Sequence, residues 1–217
     1  GAGTVFRNYL VPLNNQIGQS TEHQIDCLTD IGKSLNNESD QLWEMQNGYA
    51  FASRTGLRMI ADHLSDLDTT AMDSLRSKLR VGIMWNTEVT LGRSANNAGP
   101  SPNKASQAAS LVSQIYCSAV PVSYSPEPAS AWEPLARLIL EATYEATLGA
   151  AVLNKAQNGS NILFLTMIGG GAFGNQPEWI IDAIRRALRL HRHSGLDIRV
   201  VSYRHPNSML DALAEEF

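Results

Sequence analysis

Apolar residues recur every three to four positions in several windows of this chain and mark amphipathic helices. Leu57, Ile60, Leu64 and Leu67 share one face of a helix over 55–67 that opens at Thr55, and a shorter helix follows over 70–79. Leu135, Leu138, Ile139, Ala142, Ala146, Ala150 and Leu153 form a stripe along a long helix over 133–155, where Pro134 suits the first helical position. Helices are also expected over 177–192 and 207–216. Nearer the start, Ile25, Leu28, Ile31 and Leu35 keep helical spacing to about residue 35, behind an N-cap at Ser20. His23 stands where a capping box would carry Glu.

Elsewhere the apolar positions crowd together as they do in strands. FRNYLVPL, within 5–13, reads as a strand or an extended approach to the turn NNQIGQS at 14–20. RVGIMWNTEVT at 80–90, LVSQIYCSAVPVSYS at 111–125, residues 161–167 and LDIRVVSY at 196–203 are the other strands. LWEMQNGYAFA is an extended piece interrupted by the polar Gln46-Asn47-Gly48. A low-hydrophobicity insertion over 91–108, beginning LGRSANNAGPSPNKAS, is expected to be mobile. The second half therefore alternates β-α-β-α-β, which predicts an α/β fold with a largely parallel sheet and helices on both faces. Ligands of such sheets sit at the carboxyl ends of the strands.

Composition narrows the function classes. The 217 residues fit one domain spanning 1–217, with 43% hydrophobic and 18% charged residues. A net charge of −4 points away from nucleic acid and from anionic membrane surfaces. No apolar run is long enough to span a membrane, and GAGTVF lacks the layout of a secretory leader. Cys27 and Cys117 lie far apart without metal spacing and read as buried free thiols of a reducing compartment. The five histidines show no metal spacing either, so neither a metal nor a cofactor is expected.

The densest signal is ILFLTMIGGGAFGNQPEWI, a strand running through glycines into a helix that opens on Pro177. Gly169, Gly170, Gly171 and Gly174, with Ala172, Phe173 and Asn175 between and after them, let backbone N–H groups converge on an anion at a helix start. A phosphate or diphosphate fits that geometry; a glycine turn serving only strand–helix packing is the alternative. The spacing is neither a P-loop nor GxGxxG.

Six blocks, QIGQSTEHQIDCL, LWEMQNGYA, WNTEVT, CSAVPVSYS, YEATL and GGGAFGN, together resemble a divergent macrodomain family over nearly the whole chain. That family includes arginine-specific ADP-ribosyl hydrolases of effector type, one of them acting on ubiquitin. The resemblance implies a three-layer α/β/α fold with a mixed, largely parallel central sheet. It implies ADP-ribose as ligand or product, with the glycine turn around its diphosphate. It further implies an ADP-ribosylated protein as partner, ubiquitin or another arginine-modified protein, in the cytoplasm or in a host cytosol. One departure stands out: the Asn-Ala-Ala-Asn stretch and triple glycine of the usual first loop are absent, and NNQIGQ carries a single glycine.

Cleaving an N-glycosidic bond develops oxocarbenium character, which a carboxylate near the distal ribose stabilises. Glu88, near the end of an otherwise apolar strand, is the first candidate, or else an edge glutamate facing water. Asn86 shares its face by strand alternation and could bond ribose hydroxyls. Asp26, in the expected helix after the first loop, is the second carboxylate, with a solvated helix position as its alternative. Asn14, Gln16 and Gln19 are candidates for the ribose or second phosphate, and Gln46 and Asn47 for a ligand-facing loop. Tyr203 ends the last strand, where the resemblance implies a wall for adenine. A module that reads ADP-ribose without cleaving it, or an enzyme for another nucleotide diphosphate, fits the same turn.

Overall fold

The computed structural model describes residues 2–13, 15–89, 110–117, 119–202 and 206–217. The expected insertion at 91–108, together with Asn14 and Tyr203, lies outside the described residues. The chain folds as a mixed α/β protein. Helix α1 (Ala2–Tyr9) leads to the short pair β1 (Pro12–Leu13) and β2 (Gln16–Ile17), then to α2 (Thr29–Ser34). The hairpin β3 (Trp43–Gln46) and β4 (Tyr49–Ala52) precedes α3 (Arg54–Ser65) and α4 (Thr69–Arg76). Strands β5 (Gly82–Glu88) and β6 (Leu111–Tyr116) follow, then α5 (Ala129–Asn158), β7 (Ile162–Thr166), α6 (Pro177–Leu190), β8 (Asp197–Val201) and α7 (Ser208–Glu215).

Among the described residues the strands pair two by two. β7 and β8 run parallel in register from Ile162 against Asp197 to Thr166 against Val201, with α6 as the crossover between them. The other three pairs are antiparallel, and β6 joins β5. The core gathers around α5, whose Trp132, Leu135, Leu138, Tyr144 and Leu148 are fully buried against α3 and α6. Short polar caps fix the helices that wrap it. Ser53 Oγ accepts the Gly56 N–H at 3.0 Å, and Asp68 Oδ1 accepts that of Ala71 at 2.8 Å.

Two early segments differ from their sequence reading. Most of 5–13, expected as a strand or an extended approach to a turn, belongs to the helix α1, which ends just before Val11-Pro12, where a residue preceding proline disfavours helix; only Pro12–Leu13 is extended. Phe6 anchors it on the Tyr116 ring, 5.0 Å away between centroids. The helix expected from Ser20 to Leu35 shortens to α2, because polar side chains near its start bond the backbone locally. Ser20 Oγ takes the His23 N–H at 3.2 Å, and Asp26 Oδ1 takes that of Leu28 at 2.7 Å. The long helix opens earlier than read, at Ala129, so Pro134 lies inside it. The strand expected through residue 125 ends at Tyr116 and is followed by a 3-10 turn over Val122–Tyr124.

Candidate functional site

The C-terminal end of β7 is held by one phenol. Tyr144 is fully buried, and its hydroxyl donates to Thr166 O at 2.7 Å while accepting the Ile168 N–H at 2.9 Å. Burial pushes its ionisation well above the ordinary tyrosine range, so it stays a neutral clamp. The glycine turn begins directly beyond it. Gly169 and Gly174 adopt left-handed φ values of 81° and 69°. A Cβ on Gly174 would fall 1.8 Å from Ser123 Oγ, and one on Gly169 would fall 2.4 Å from Ala119 Cβ. Asn175 closes the turn from beneath: it is buried, with its Nδ2 on Val120 O at 2.8 Å and its N–H on Gly169 O at 2.9 Å.

Gly171 and Ala172 form an exposed rim of the turn. The N–H groups of Gly171, Ala172 and Phe173 have no acceptor among the described residues. A Cβ on Gly171 would meet nothing within 4 Å. Such a row of free amides beside a helix start can take an oxyanion.

Beside the turn lies a cleft of about 800 Å³. Its walls come from α1 (Arg7), the first loop (Gln19, Asp26, Cys27), the β3–β4 hairpin (Gly48, Tyr49) and the strand ends at Tyr116, Thr166 and Ile168. Ile168 and Ala119 join the cleft to Gly169, while the glycines themselves stand outside the lining. An aromatic group bridges the two. Tyr49, Tyr124 and Phe173 pack edge to face, with centroids 5.7 Å apart for Tyr49–Phe173 and 5.5 Å for Tyr124–Phe173. The hairpin is thereby locked to the turn.

Of the sequence-chosen carboxylates, Asp26 reaches the cleft and Glu88 does not. Asp26 is half-buried, and its Oδ2 has no donor among the described residues. Glu88 sits opposite Leu111 on the exposed end of β5. Asn86 does not line the cleft either. The register shift between Met84 and Thr87 breaks strand alternation, and Asn86 adopts a φ of 54°. Its amide oxygen instead accepts from Asn158 at 3.0 Å, beside Asn154 and Ser113 at the far end of α5.

The ligand-binding candidates divide similarly. Gln19 lines the cleft, its amide shared between Asn8 Oδ1 at 3.0 Å and the Ile25 N–H at 3.4 Å. Gln16 Nε2 turns back onto Gly18 O at 2.8 Å. Gln46 and Asn47 are exposed at the hairpin tip, and the cleft takes Met45, Gly48 and Tyr49 from that segment. Cys27 and Cys117 are free thiols on the cleft wall, and both are half-buried. Burial pushes the Cys117 thiol to about 11 and raises Cys27, helped there by the neighbouring Asp26 charge. Neither is a ready nucleophile.

Sequence reasoning passed over Arg7, Tyr49 and Tyr144. The signal for Tyr49 was Asn47-Gly48, a two-residue turn whose left-handed φ values of 51° and 83° suit an antiparallel hairpin. For Arg7 it was one cation inside the apolar run around it. No family model matches the chain, and neither a characterised protein nor a solved structure matches it.

Proposed function

We propose that the chain is an ADP-ribosyl hydrolase of macrodomain type that removes ADP-ribose from modified protein, with arginine as the linkage. The observation that carries the reading is the joining of a glycine turn with free amides to a cleft that holds a carboxylate. A volume of about 800 Å³ suits a ligand of nucleotide size, since such sites run from roughly 300 to 1,000 Å³. In this reading the amides of Gly171 to Phe173 hold the diphosphate. The distal ribose extends into the cleft toward Asp26, whose free oxygen stabilises the oxocarbenium-like centre or orients the attacking water. The ligand then lies beyond the carboxyl end of β7 in the parallel pair β7–β8.

A reader module that binds ADP-ribose without cleavage is the second reading. It is favoured by one detail, the engagement of Asp26 Oδ1 with the Leu28 N–H. Incubation with an arginine-ADP-ribosylated protein, following free ADP-ribose, separates the two. The hydrolase reading expects release by the wild type, a drop of about 10²- to 10⁴-fold in D26N, and little change in E88A. ADP-ribose binding without release, unchanged in D26N, would sink the hydrolase in favour of the reader.

A further inference from the structure

We infer that Arg7 is the cation that binds the anionic group of the ligand in this cleft; the inference deepens the proposed function and rests on it only for the identity of that ligand. Arg7 stands in the last turn of α1 and lines the cleft. Its Nε is buried and has no hydrogen-bond partner, and the guanidinium makes no ion pair with any described carboxylate. One guanidinium nitrogen reaches the hairpin tip, 3.5 Å from where a Cβ of Gly48 would stand.

The rest of the chain treats its half-buried arginines differently. Arg76 pairs with Glu141 at 2.6 Å, Arg137 with Asp182 at 2.9 Å and Arg186 with Glu145 at 2.6 Å. Arg58, which has no such partner among the described residues, is exposed. Among the described residues, Arg7 alone combines a buried guanidinium nitrogen that lacks an acceptor with a place on a cleft wall. Leaving a buried charged donor without an acceptor is costly, so the position calls for an anion from outside the chain. A guanidinium fork matches a phosphate in two hydrogen bonds, and Ile168, which leads into the glycine turn with the free amides, lines the same cleft. Asp26 also lines the cleft but makes no ion pair with Arg7, so the two charges remain available for different parts of one ligand.

The competing role is structural: a cation in the last turn of a helix favours the helix dipole. Calorimetry on the whole protein with inorganic pyrophosphate and with ADP-ribose, alongside thermal melting, tells the roles apart. The assignment expects R7Q to weaken both probes by about 10- to 100-fold. It also expects R7K to recover part of that affinity and the melting temperature of R7Q to stay near that of the wild type. Unchanged affinity in R7Q would overturn the assignment, as would lost affinity accompanied by an equal loss in R7K and a collapsed melting temperature. Pyrophosphate binding that depends on Arg7, without any ADP-ribose binding, would leave the assignment standing and sink the proposed ligand. ADP-ribose bound equally by wild type and R7Q would do the reverse.

Discussion

Substituting Gly174 by alanine should damage the fold through two separable effects. The residue holds a φ of 69°, where an L side chain carries a strain of roughly 1–2 kcal/mol. Its new Cβ would also fall 1.8 Å from Ser123 Oγ and 3.1 Å from Ser123 Cβ, an overlap that must be relieved by moving the 3-10 turn. Overpacking of this kind costs about 1–3 kcal/mol, so G174A should lose about 2–5 kcal/mol in denaturant unfolding. The double variant S123A/G174A removes the hydroxyl overlap and should recover the larger part of the second contribution, leaving mainly the backbone strain. G171A is the control, because that position is open and has no positive φ. It should unfold within about 0.5 kcal/mol of wild type yet bind ADP-ribose more weakly, since a methyl group would crowd the free amides. G174A as stable as wild type would refute the packing argument. G171A with unchanged ADP-ribose affinity would refute the role given to the rim of the turn.

Three further outcomes are expected. Tyr144→Phe removes the hydroxyl that joins Thr166 O to the Ile168 N–H and should cost about 1–3 kcal/mol by urea unfolding. The Tyr49–Phe173 contact should give a coupling of about 0.5–1.5 kcal/mol in a double-mutant cycle of the two alanine variants, and a coupling near zero would separate the hairpin from the turn. Cys117 predicts an alkaline loss of stability. Between its ordinary value of 9.0 and about 11, the unfolded thiol has released its proton while the folded one keeps it, so stability falls as pH rises. The loss is on the order of 2–3 kcal/mol, and Cys117→Ala should flatten that part of the pH profile.

Helical periodicity was legible wherever a stripe faced one buried layer. α3, α6 and α7 match the windows read from spacing within a few residues, and so do β5, β7 and β8. The reading failed where a local polar bond competed with periodicity. Ile25 and Leu28 kept helical spacing, yet Ser20 and Asp26 captured the backbone N–H groups and delayed the helix to Thr29. At the site, the glycine turn was visible because its residue types have few other uses. Its neighbours were not, since a cleft wall assembled from α1, a hairpin and two strand ends leaves no single spacing to detect. Strand periodicity likewise left it unseen that Glu88 and Asn86 do not line the cleft. Asn86 falls at a register shift that alternation cannot foresee, and its amide oxygen meets Asn158.

The central claim is that ADP-ribose occupies the glycine turn and the adjoining cleft, and amide chemical-shift mapping of the whole protein during an ADP-ribose titration tests it most directly. Shifts should concentrate on Gly171, Ala172 and Phe173 and extend to Arg7, Asp26 and Tyr49 along the cleft. Shifts absent at saturating ligand, or confined to surfaces away from these residues, would contradict it.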